Sequence, residues 1–309
     1  LRAAPMSNEE EYMEKHTAEE ILTVKGLSVS FTQYDRGFGR KEIQAVTGLD
    51  LRIRRGEIVA VVGASGSEKG LLGHSDADVL AHAVMGILPY NASMTGELLF
   101  KGTPLTKERV RRLRGRELVL VPQSVTYLDP LMKTGQQLTK GSKNPEILEK
   151  CKNILYSCGL GPEVLDQYPF QLSGGMARRV LISTAAMEEA ELVIADEPTP
   201  GLDKETAMGV MEHFRKMAER GAGVLLITHD LELAVLAADR VTVLYGGRTV
   251  EETEASCFLD ESLLNHPYTK ALCRSMPEKW PAADAVENRR EDALPDGGIL
   301  EYMRNEYGR

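Results

Sequence analysis

The feature that most constrains the fold is a pair of short apolar runs separated by a helical stretch. The runs are "ELVIADEP" and "GVLLITHD", and both have the pattern of buried strands. Between them, "KETAMGVMEHFRKMAERG" has a helical pattern. A strand, a helix and a second strand in this order form the unit of a parallel sheet. We therefore predict an α/β fold with a mainly parallel central sheet.

Other segments extend this sheet and add further layers. "GEIVAVVG" is an apolar run that ends in Gly63 and suits another central parallel strand. "ILTVKGLSVSF" and "IQAVTGLDLRI" alternate like half-buried strands, which predicts an antiparallel layer. The pattern becomes helical over about 124–190, for example in "PEILEKCKNILYSCGL". "RVTVLYGGRTVEE" is typical of a hairpin that turns at Gly246 and Gly247.

Composition excludes several classes of protein. The apolar runs are too short to span a bilayer and the first residues are too acidic for a secretory signal, so we expect a cytoplasmic protein. The four cysteines form no C-x-x-C pair, which indicates reduced thiols rather than a disulfide or zinc framework. A net charge of -9 gives no sign of the positively charged surface that binds nucleic acid, which argues against nucleic acid as a partner.

Changes in composition divide the chain into three parts. Residues 1–20 form an acidic extension, and the folded domain is expected over 21–280. Beyond Trp280 the sequence is rich in proline and charge, so 281–309 are predicted to be a flexible tail.

Acidic side chains follow one predicted strand, and a histidine follows the next. "LVIADEPTPGLD" places Asp196 and Glu197 at the carboxyl end of its strand, where open α/β sheets bind ligands. One carboxylate can hold magnesium while the other polarises an attacking water, although a solvated acidic turn is the plainer interpretation. His229 can orient a phosphate or a water, but a lone histidine is more often structural. We expect Gly63 and Asp196 at neighbouring strand ends.

Two further segments carry polar groups to predicted element ends. "QLSGGMARR" places Ser173, Gly174 and Gly175 before a helix, where exposed backbone N–H groups favour an anion. An ordinary glycine loop that caps a helix is the structural alternative. "LVLVPQSVTYLDP" is predicted to be a strand ending in Gln123, whose side chain can reach a metal or a water.

Together these segments resemble, in one order over residues 21–280, the ATP-binding subunits of ABC transporters. The matching motifs are a Q-loop at Gln123, the signature "LSGGM" at 172–176, a Walker B strand at 192–197, a D-loop "PGLD" with Asp203, and a switch histidine at His229. In addition, "HPYTKALCRSMP" at 266–277 resembles the C-terminal segment of the branch that serves dipeptide, oligopeptide and nickel importers. The resemblance implies a P-loop NTPase-like fold with an antiparallel β layer and a helical subdomain.

The resemblance also implies a mechanism and partners. Two ABC subunits, identical or different, form a head-to-tail dimer in which the "LSGG" segment of one closes over ATP held by the other. ATP and magnesium are the expected cofactors. The Q-loop region is expected to pass the motion to membrane-spanning permease subunits at the cytoplasmic face of the membrane. A solute-binding protein would act indirectly.

By the same resemblance, each motif residue receives a role. Glu197 and His229 are expected to be catalytic, and Asp196 and Gln123 to be magnesium ligands. The expected nucleotide-binding residues are Gly63, Ser65, Gly66, Lys69, Gln123, Ser173, Gly174, Gly175 and Asp203. Adenine is expected to stack on Phe31 or Tyr34.

The phosphate loop departs from the family pattern. That pattern is G-x-x-x-x-G-K-[ST], whereas residues 63–70 read "GASGSEKG". Gly63, Gly66 and Lys69 fit. Glu68 replaces a glycine that lets backbone N–H groups close around phosphate, and Gly70 replaces a hydroxyl that would meet magnesium. Both differences predict weakened ATP binding.

The helix after this loop is predicted to begin late. "SDAD" at 75–78 forms a capping box in which Ser75 is the cap, and Val79, Ala83 and Ile87 continue the apolar series. Asp76 and Asp78 would then occupy the helix end that favours anions. Such a helix would no longer point its dipole at the nucleotide.

The altered segment, "GLLGHSDADVLAHA", resembles a segment of the cyclodiphosphate synthases of isoprenoid synthesis. That resemblance implies a zinc ligand at His82 and substrate contacts at His74 and Ser75. The same enzymes need an Asp-x-His pair, and none of the six histidines here has an aspartate two residues before it. A metal-dependent isoprenoid enzyme is therefore a weaker hypothesis than an impaired importer ATPase.

A non-hydrolysing regulatory ABC subunit is also compatible with these motifs. In such a subunit the partner's site alone is competent, and the presence of Glu197 and His229 argues against it. The motifs are equally compatible with an ABC protein that acts on DNA or ribosomes, although such proteins usually carry two cassettes and this chain has the motifs of one.

Overall fold

The computed structural model describes residues 19–34, 39–64 and 76–276. Its strands are β1 Glu20–Tyr34, β2 Arg40–Arg54, β3 Ile58–Ala64, β4 Ala92–Phe100, β5 Thr103–Pro104, β6 Leu118–Val121, β7 Leu192–Asp196, β8 Gly223–Ile227, β9 Arg240–Tyr245 and β10 Arg248–Glu254. Its α-helices are α1 Asp76–Val84, α2 Lys107–Leu113, α3 Thr134–Leu138, α4 Pro145–Ser157, α5 Gly174–Met187, α6 Lys204–Glu219, α7 Leu231–Ala237 and α8 Pro267–Arg274.

The larger sheet has the strand order β10-β9-β3-β8-β7-β6. Strands β3 and β6 to β9 pair in parallel, and β10 is antiparallel to β9 at one edge. The predicted hairpin turn lies at Gly246 and Gly247, whose positive φ values of 58° and 73° suit glycine. The prediction of an α/β fold with a mainly parallel central sheet is confirmed.

Two details of the larger sheet differ from expectation. β8 lies between β3 and β7, so Gly63 and Asp196 are at next-but-one strand ends rather than neighbouring ones. The strand predicted to end in Gln123 stops at Val121. The next residue is Pro122. Because proline has no backbone N–H, it cannot donate a hydrogen bond to a neighbouring strand of the sheet.

The smaller sheet is antiparallel, with the order β2-β1-β4-β5. Alternate residues of β1, including Leu27, Val29 and Phe31, are buried in the apolar cluster that this sheet shares with α1 and one face of the larger sheet. This arrangement is the predicted antiparallel layer. The described helix α1 begins at Asp76 and ends at Val84, and the predicted cap Ser75 lies outside the described residues.

The helical segment 125–187 has an apolar cluster of its own. Leu138 of α3, Leu155 of α4 and Val180 of α5 are among its members. α5 also reaches the main core, because Ile182 and Ala185 belong to the cluster beneath α6 and α7. α5 is thus shared by two apolar clusters.

The segment after β10 packs back onto the main core. Tyr268, Leu272 and Met276 contact the apolar cluster of the larger sheet. Residues 1–18 and 277–309, which contain most of the predicted extension and all of the predicted tail, lie outside the described residues. Within the described ranges, no helix combines the length and apolarity needed to cross a bilayer.

Glu251 holds this C-terminal segment in place. Its carboxylate accepts hydrogen bonds from the backbone N–H of Asn265 at 2.7 Å and of His266 at 3.0 Å, just before α8. Burial alone would raise the pKa of Glu251, but the hydrogen bonds from these two amides stabilise the carboxylate and help to lower the pKa overall. The ionised form therefore contributes to stability.

Replacing Glu251 with glutamine is expected to lower the free energy of unfolding by about 1 to 2 kcal/mol at pH 7, because hydrogen bonds to a charged acceptor are lost. The native carboxylate stabilises fully above the ordinary glutamate pKa of about 4.3, and its contribution disappears as the pH falls through the lower folded pKa. Urea unfolding at pH 7 and at acid pH measures both effects. Glu219→Gln, at an exposed position ending α6, is the control; an equal loss in both variants would contradict this role of Glu251.

Candidate active site

The candidate site lies at the carboxyl edge of the larger sheet, where β7 and β8 end side by side. Asp196 is the last residue of β7, and Glu197 follows it with a left-handed φ of 44°. The backbone N–H of Glu197 donates to the carbonyl of Ile227 at 2.9 Å, which links the two strand ends. A non-glycine residue in this conformation costs about 1 to 3 kcal/mol, so its surroundings must hold it there.

The two oxygens of the Glu197 carboxylate have different environments. Oε1 accepts from the backbone N–H of His229 at 3.0 Å and from Nδ1 of the same residue at 2.8 Å. Oε2 is buried and has no protein hydrogen-bond partner. Because a buried acceptor normally finds a partner, Oε2 is suited to accept from a water or a ligand hydroxyl. This is the geometry of a general base held by a histidine.

Asp196 lies beside Glu197 and is 6% exposed. Its Oδ1 is buried without a hydrogen-bond partner. Burial, followed by the charges of the neighbouring Asp78 and Glu197, raises the pKa of Asp196 to about 7. A buried carboxylate oxygen without a protein partner fits a magnesium ion, which prefers oxygen ligands.

Arg178 is a site residue that the sequence interpretation missed. It is 7% exposed, and its Nη1 donates to the carbonyl of Pro122 at 3.1 Å. Burial lowers the pKa of Arg178, while the charges of Asp196 and Glu197 counteract this effect. A signal was present, because Arg178 shares a helical stripe with buried Leu181, Ile182 and Ala185. A charge on an apolar stripe indicates a buried partner.

The other predicted binding residues lie at element ends nearby. Gln123 is exposed and follows Pro122. Ser173 caps α5 by accepting from the N–H of Met176 at 3.2 Å. Asp203 caps α6 by accepting from the N–H and the hydroxyl of Thr206, and these bonds lower the pKa of Asp203.

The structure does not bring all of these residues to one point. No hydrogen bond among the described residues joins Ser173 or Asp203 to the free oxygens of Asp196 and Glu197. Gly174 is exposed, and a Cβ at this position would meet open space. The "LSGG" segment thus presents an accessible surface to solvent.

Gly63 is the next-to-last residue of β3, where it pairs with Leu244 of β9, and it has a specific steric role. A Cβ atom at Gly63 would lie 2.0 Å from the carbonyl oxygen of Leu244, so the pairing of β3 with β9 requires glycine there. The predicted phosphate-loop residues Ser65, Gly66 and Lys69, together with Glu68, Gly70, His74 and Ser75, lie outside the described residues. Their roles stay predictions.

Of the two candidates for stacking on adenine, Phe31 is excluded by its burial. Its side chain is 3% exposed and packs in the apolar cluster under the antiparallel sheet. The side chain of Tyr34 lies outside the described residues.

The zinc hypothesis receives no support from the part of the chain that the structure describes. His82 lies in the last turn of α1 and is partly buried. No group of three or more His, Cys, Asp or Glu side chains that could hold a metal ion occurs among the described residues.

A cavity of about 350 Å³ adjoins Glu197 and His229. Its lining includes apolar Met208 of α6 and Leu233 of α7 as well as polar residues such as Lys204. The site therefore has room for a water beside the Glu197 carboxylate.

Comparison with known proteins relates this site to one family. A family model described as ABC transporter matches residues 46–200. The dipeptide transport ATP-binding protein DppD of Bacillus subtilis (strain 168) is 35% identical over 275 residues, which cover 84% of this chain and 77% of that protein. The oligopeptide transport ATP-binding protein OppD of Lactococcus lactis subsp. cremoris (strain SK11) is 35% identical over 283 residues, covering 86% of this chain and 79% of that protein.

A solved ATP-binding cassette, dimeric and bound to ADP and Pi in a post-hydrolysis state, matches with a TM-score of 0.62. It is 24% identical and covers 76% of this chain and 98% of that chain, so the likeness concerns the fold. The predicted P-loop NTPase-like ABC fold is thereby confirmed. The chain belongs to the ABC transporter family, as an ATP-binding domain close to the ATPases of dipeptide and oligopeptide importers.

Proposed function

We propose that this chain is the ATP-binding subunit of a peptide importer, coupling the binding and hydrolysis of ATP to solute uptake. The observation that carries the proposal is the free, buried Oε2 of Glu197, whose other oxygen is held by His229. Uptake of nickel or a similar small solute is the alternative within the same branch. The cassette is expected at the cytoplasmic face of the membrane, bound peripherally to permease subunits.

In this proposal each residue performs a limited task. Glu197 Oε2 accepts a proton from the attacking water, and His229 keeps the carboxylate in position. Asp196 holds magnesium, which supplies charge neutralisation at the phosphates when bound. Gln123 is the second proposed magnesium ligand, and Arg178 ties its loop to the same edge of the sheet.

The proposal requires a second ABC subunit. Ser173, Gly174 and Gly175 begin α5 on an accessible surface, where backbone N–H groups can meet an anion from another subunit. The dimeric, ADP-bound cassette with the same fold supports this arrangement. Asp203, already a helix cap, is proposed to lie at the same subunit boundary. A solute-binding protein would act on the complex indirectly.

An exposed apolar surface on the helical segment is proposed to contact the permease. Leu131 is 88% exposed and Phe170 is 73% exposed. They belong to adjoining loops, because Thr134 N–H donates to the carbonyl of Gln167 and Lys133 pairs with Asp166. Apolar patches of this kind are typical of interaction sites.

Leu131→Glu and Phe170→Glu are therefore expected to reduce co-purification with the permease subunits at least about tenfold, since burying a charge in an interface without a partner costs several kcal/mol. Leu263→Glu, at a 56% exposed position of the C-terminal segment, is the matched control. Equal retention of the permease by all three variants would contradict the proposed surface.

Uptake by the assembled transporter tests the function itself. The chain, its permease subunits and the solute-binding protein would be reconstituted in vesicles. ATP would be supplied on the side of the vesicle membrane that carries this chain. Labelled dipeptide, longer peptide and nickel then serve as competing probes. Uptake of peptide that depends on Glu197 supports the proposal, whereas nickel uptake alone supports the alternative, and permease binding without ATP-dependent uptake favours a regulatory subunit.

A non-hydrolysing regulatory subunit is the second candidate function. It is favoured by Glu68 and Gly70 in the phosphate loop. The negative charge of Asp78, which helps to raise the pKa of Asp196, also favours it, because this charge adds to the repulsion that phosphates would meet near Asp196. In such a subunit the competent site would belong to its partner.

A further inference from the structure

We propose that the acidic segment "NEEEYME" at 8–14 docks on a basic surface formed by α2 and the turn that follows this helix. The basic surface is defined by five side chains, those of Lys107, Arg111, Arg112, Arg114 and Arg116. None of them belongs to the candidate active site, so this contact is independent of the proposed function. The contact covers a cationic face of the cassette with a part of the same chain.

The basic surface contrasts with the charge of the whole chain. The chain has a net charge of -9, yet residues 107–116 hold six Lys or Arg side chains and one acid, Glu108. The five side chains of the basic surface are exposed, except for the half-buried Arg114. The sixth, Arg109, is engaged inside the fold, because its Nη1 donates to the carbonyl of Phe100 at 3.0 Å. The positive charge is therefore concentrated on one solvent-facing surface.

The described part of the chain does not neutralise this surface. No ion pair between described residues includes any of its five cations. Two acids close to it are paired with other cations: Glu188 with Lys140 at 2.7 Å, and Glu191 with Lys101 at 2.8 Å. Lys140 itself lies beside the surface, since its Nζ donates to the carbonyl of Gly115 at 3.3 Å. Like charges this close repel each other, so an acidic segment would be attracted to them.

The first described residue, Glu19, lies near the C-terminal end of the basic surface. Its Oε2 accepts from Nε of Arg55 at 3.2 Å, and Nη2 of Arg55 donates to Glu191 at 3.1 Å. The backbone N–H of Glu191 donates in turn to the carbonyl of Glu117 at 3.0 Å. Glu117 directly follows Arg116. The residues before Glu19 therefore enter the fold close to this surface.

The acidic segment is long enough to reach the whole surface. Glu14 lies five positions before Glu19, and Glu9 lies ten positions before it. An extended chain covers at most about 3.3 to 3.6 Å per residue, so these two carboxylates can reach about 17 Å and about 34 Å from Glu19. α2 has seven residues and a length of about 10 Å.

The charge and the attachment of the segment favour the contact. Four of its seven residues are glutamates. A single exposed ion pair contributes little, but several of them act together here. Because the segment is attached to β1 by a short linker, its effective concentration at the surface is on the order of millimolar. Weak pairs are then sufficient to keep the segment on the surface.

The test is carbodiimide cross-linking of the full chain followed by mass spectrometry, because this reagent joins a carboxylate to a lysine amine that it contacts. Arg116→Lys keeps the charge of the basic surface and supplies an amine. We expect cross-links from position 116 to the glutamates of 8–14. Arg248→Lys is the matched control, since this exposed residue lies on β10, at the edge of the larger sheet opposite β6. It should form no cross-link to the segment.

Two changes should remove the attraction in the Arg116→Lys chain. Arg111→Glu combined with Arg112→Glu should lower the cross-link yield at least about tenfold, since attractive pairs become repulsive ones. Arg111→Gln with Arg112→Gln should give an intermediate yield, and it replaces the reversal if circular dichroism shows altered folding. Sodium chloride at about 1 M should also lower the yield, because the Debye length falls to about 3 Å.

Three outcomes would overturn the proposal. The first is a yield that neither charge reversal nor salt changes, or that Arg248→Lys equals. The second is cross-linking only between copies, which a mixture of chains with natural and heavy isotopes distinguishes from cross-linking within one chain. The third is sedimentation of the unmodified chain with phosphatidylglycerol vesicles that is lost on Arg111→Glu with Arg112→Glu, because the surface would then be open to lipid.

Discussion

Replacing Glu197 with glutamine is expected to lower ATP turnover by a factor of about 10² to 10⁴, the usual contribution of a general base. The amide has nearly the shape of the carboxylate but cannot accept a proton from water. Binding of ATP should change little, because the residue faces the attacking water rather than the phosphates. Turnover is measured as phosphate release, and affinity by isothermal titration.

The control is Glu232→Gln, since Glu232 lines the same cavity and pairs with Lys204 at 2.7 Å. It should retain most of the activity. Both variants would also be made in a chain with a restored "GKS" loop, so that a low starting activity does not hide the effect. Unchanged turnover in Glu197→Gln would show that the measured hydrolysis arises elsewhere.

Magnesium ATP is expected to bind this chain weakly, and the affinity should rise at least about 100-fold when residues 68–78 are replaced by a plain "GKS" junction. By the phosphate-loop pattern, Glu68 is expected to place a negative charge near the phosphates, and two such charges about 4 Å apart at an effective dielectric of about 20 repel by several kcal/mol. Each 1.4 kcal/mol or so corresponds to tenfold in affinity. The replacement also removes Asp78 from Asp196 and returns the helix start towards the nucleotide.

Two further variants separate these causes. Glu68→Gly combined with Gly70→Ser repairs the loop but keeps Asp78, so it should recover part of the affinity. Lys69→Ala should abolish binding in the restored chain and change little in the unmodified one, because lysine acts only in a loop of the right shape. Micromolar affinity of the unmodified chain for magnesium ATP would contradict the weakened site.

The strands and helices were predictable because their signals are local. Alternation in β1 and the continuous apolar runs of β3, β7 and β8 follow directly from whether one or both faces are buried. The burial of Phe31 could have been inferred as well, since it shares the two-residue period of Leu27 and Val29. The same period places the Phe31 side chain in the core rather than on a surface that could stack on adenine.

The sheet order and the contacts within the site were not predictable from pattern alone. Periodicity indicates that β3, β7 and β8 are strands, but not that β8 lies between the other two. The packing of α1 against β7 brings the charge of Asp78 near Asp196, although the two residues are more than a hundred positions apart in the sequence. The roles of Glu197 and His229 were inferred from a family resemblance, whereas their mutual hydrogen bond is a result of the fold.

The membership of α5 in two apolar clusters has a mechanical consequence. Its early residues, such as Val180, belong to the helical segment, and its later residue Ala185 belongs to the main core. A tilt of the helical segment relative to the main core would therefore have to move α5 as well, because the C-terminal half of this helix is packed in the main core. Because Arg178, in the first half of this helix, donates to the carbonyl of Pro122, a displacement of the exposed Ser173 end would be passed on to the residues that follow β6.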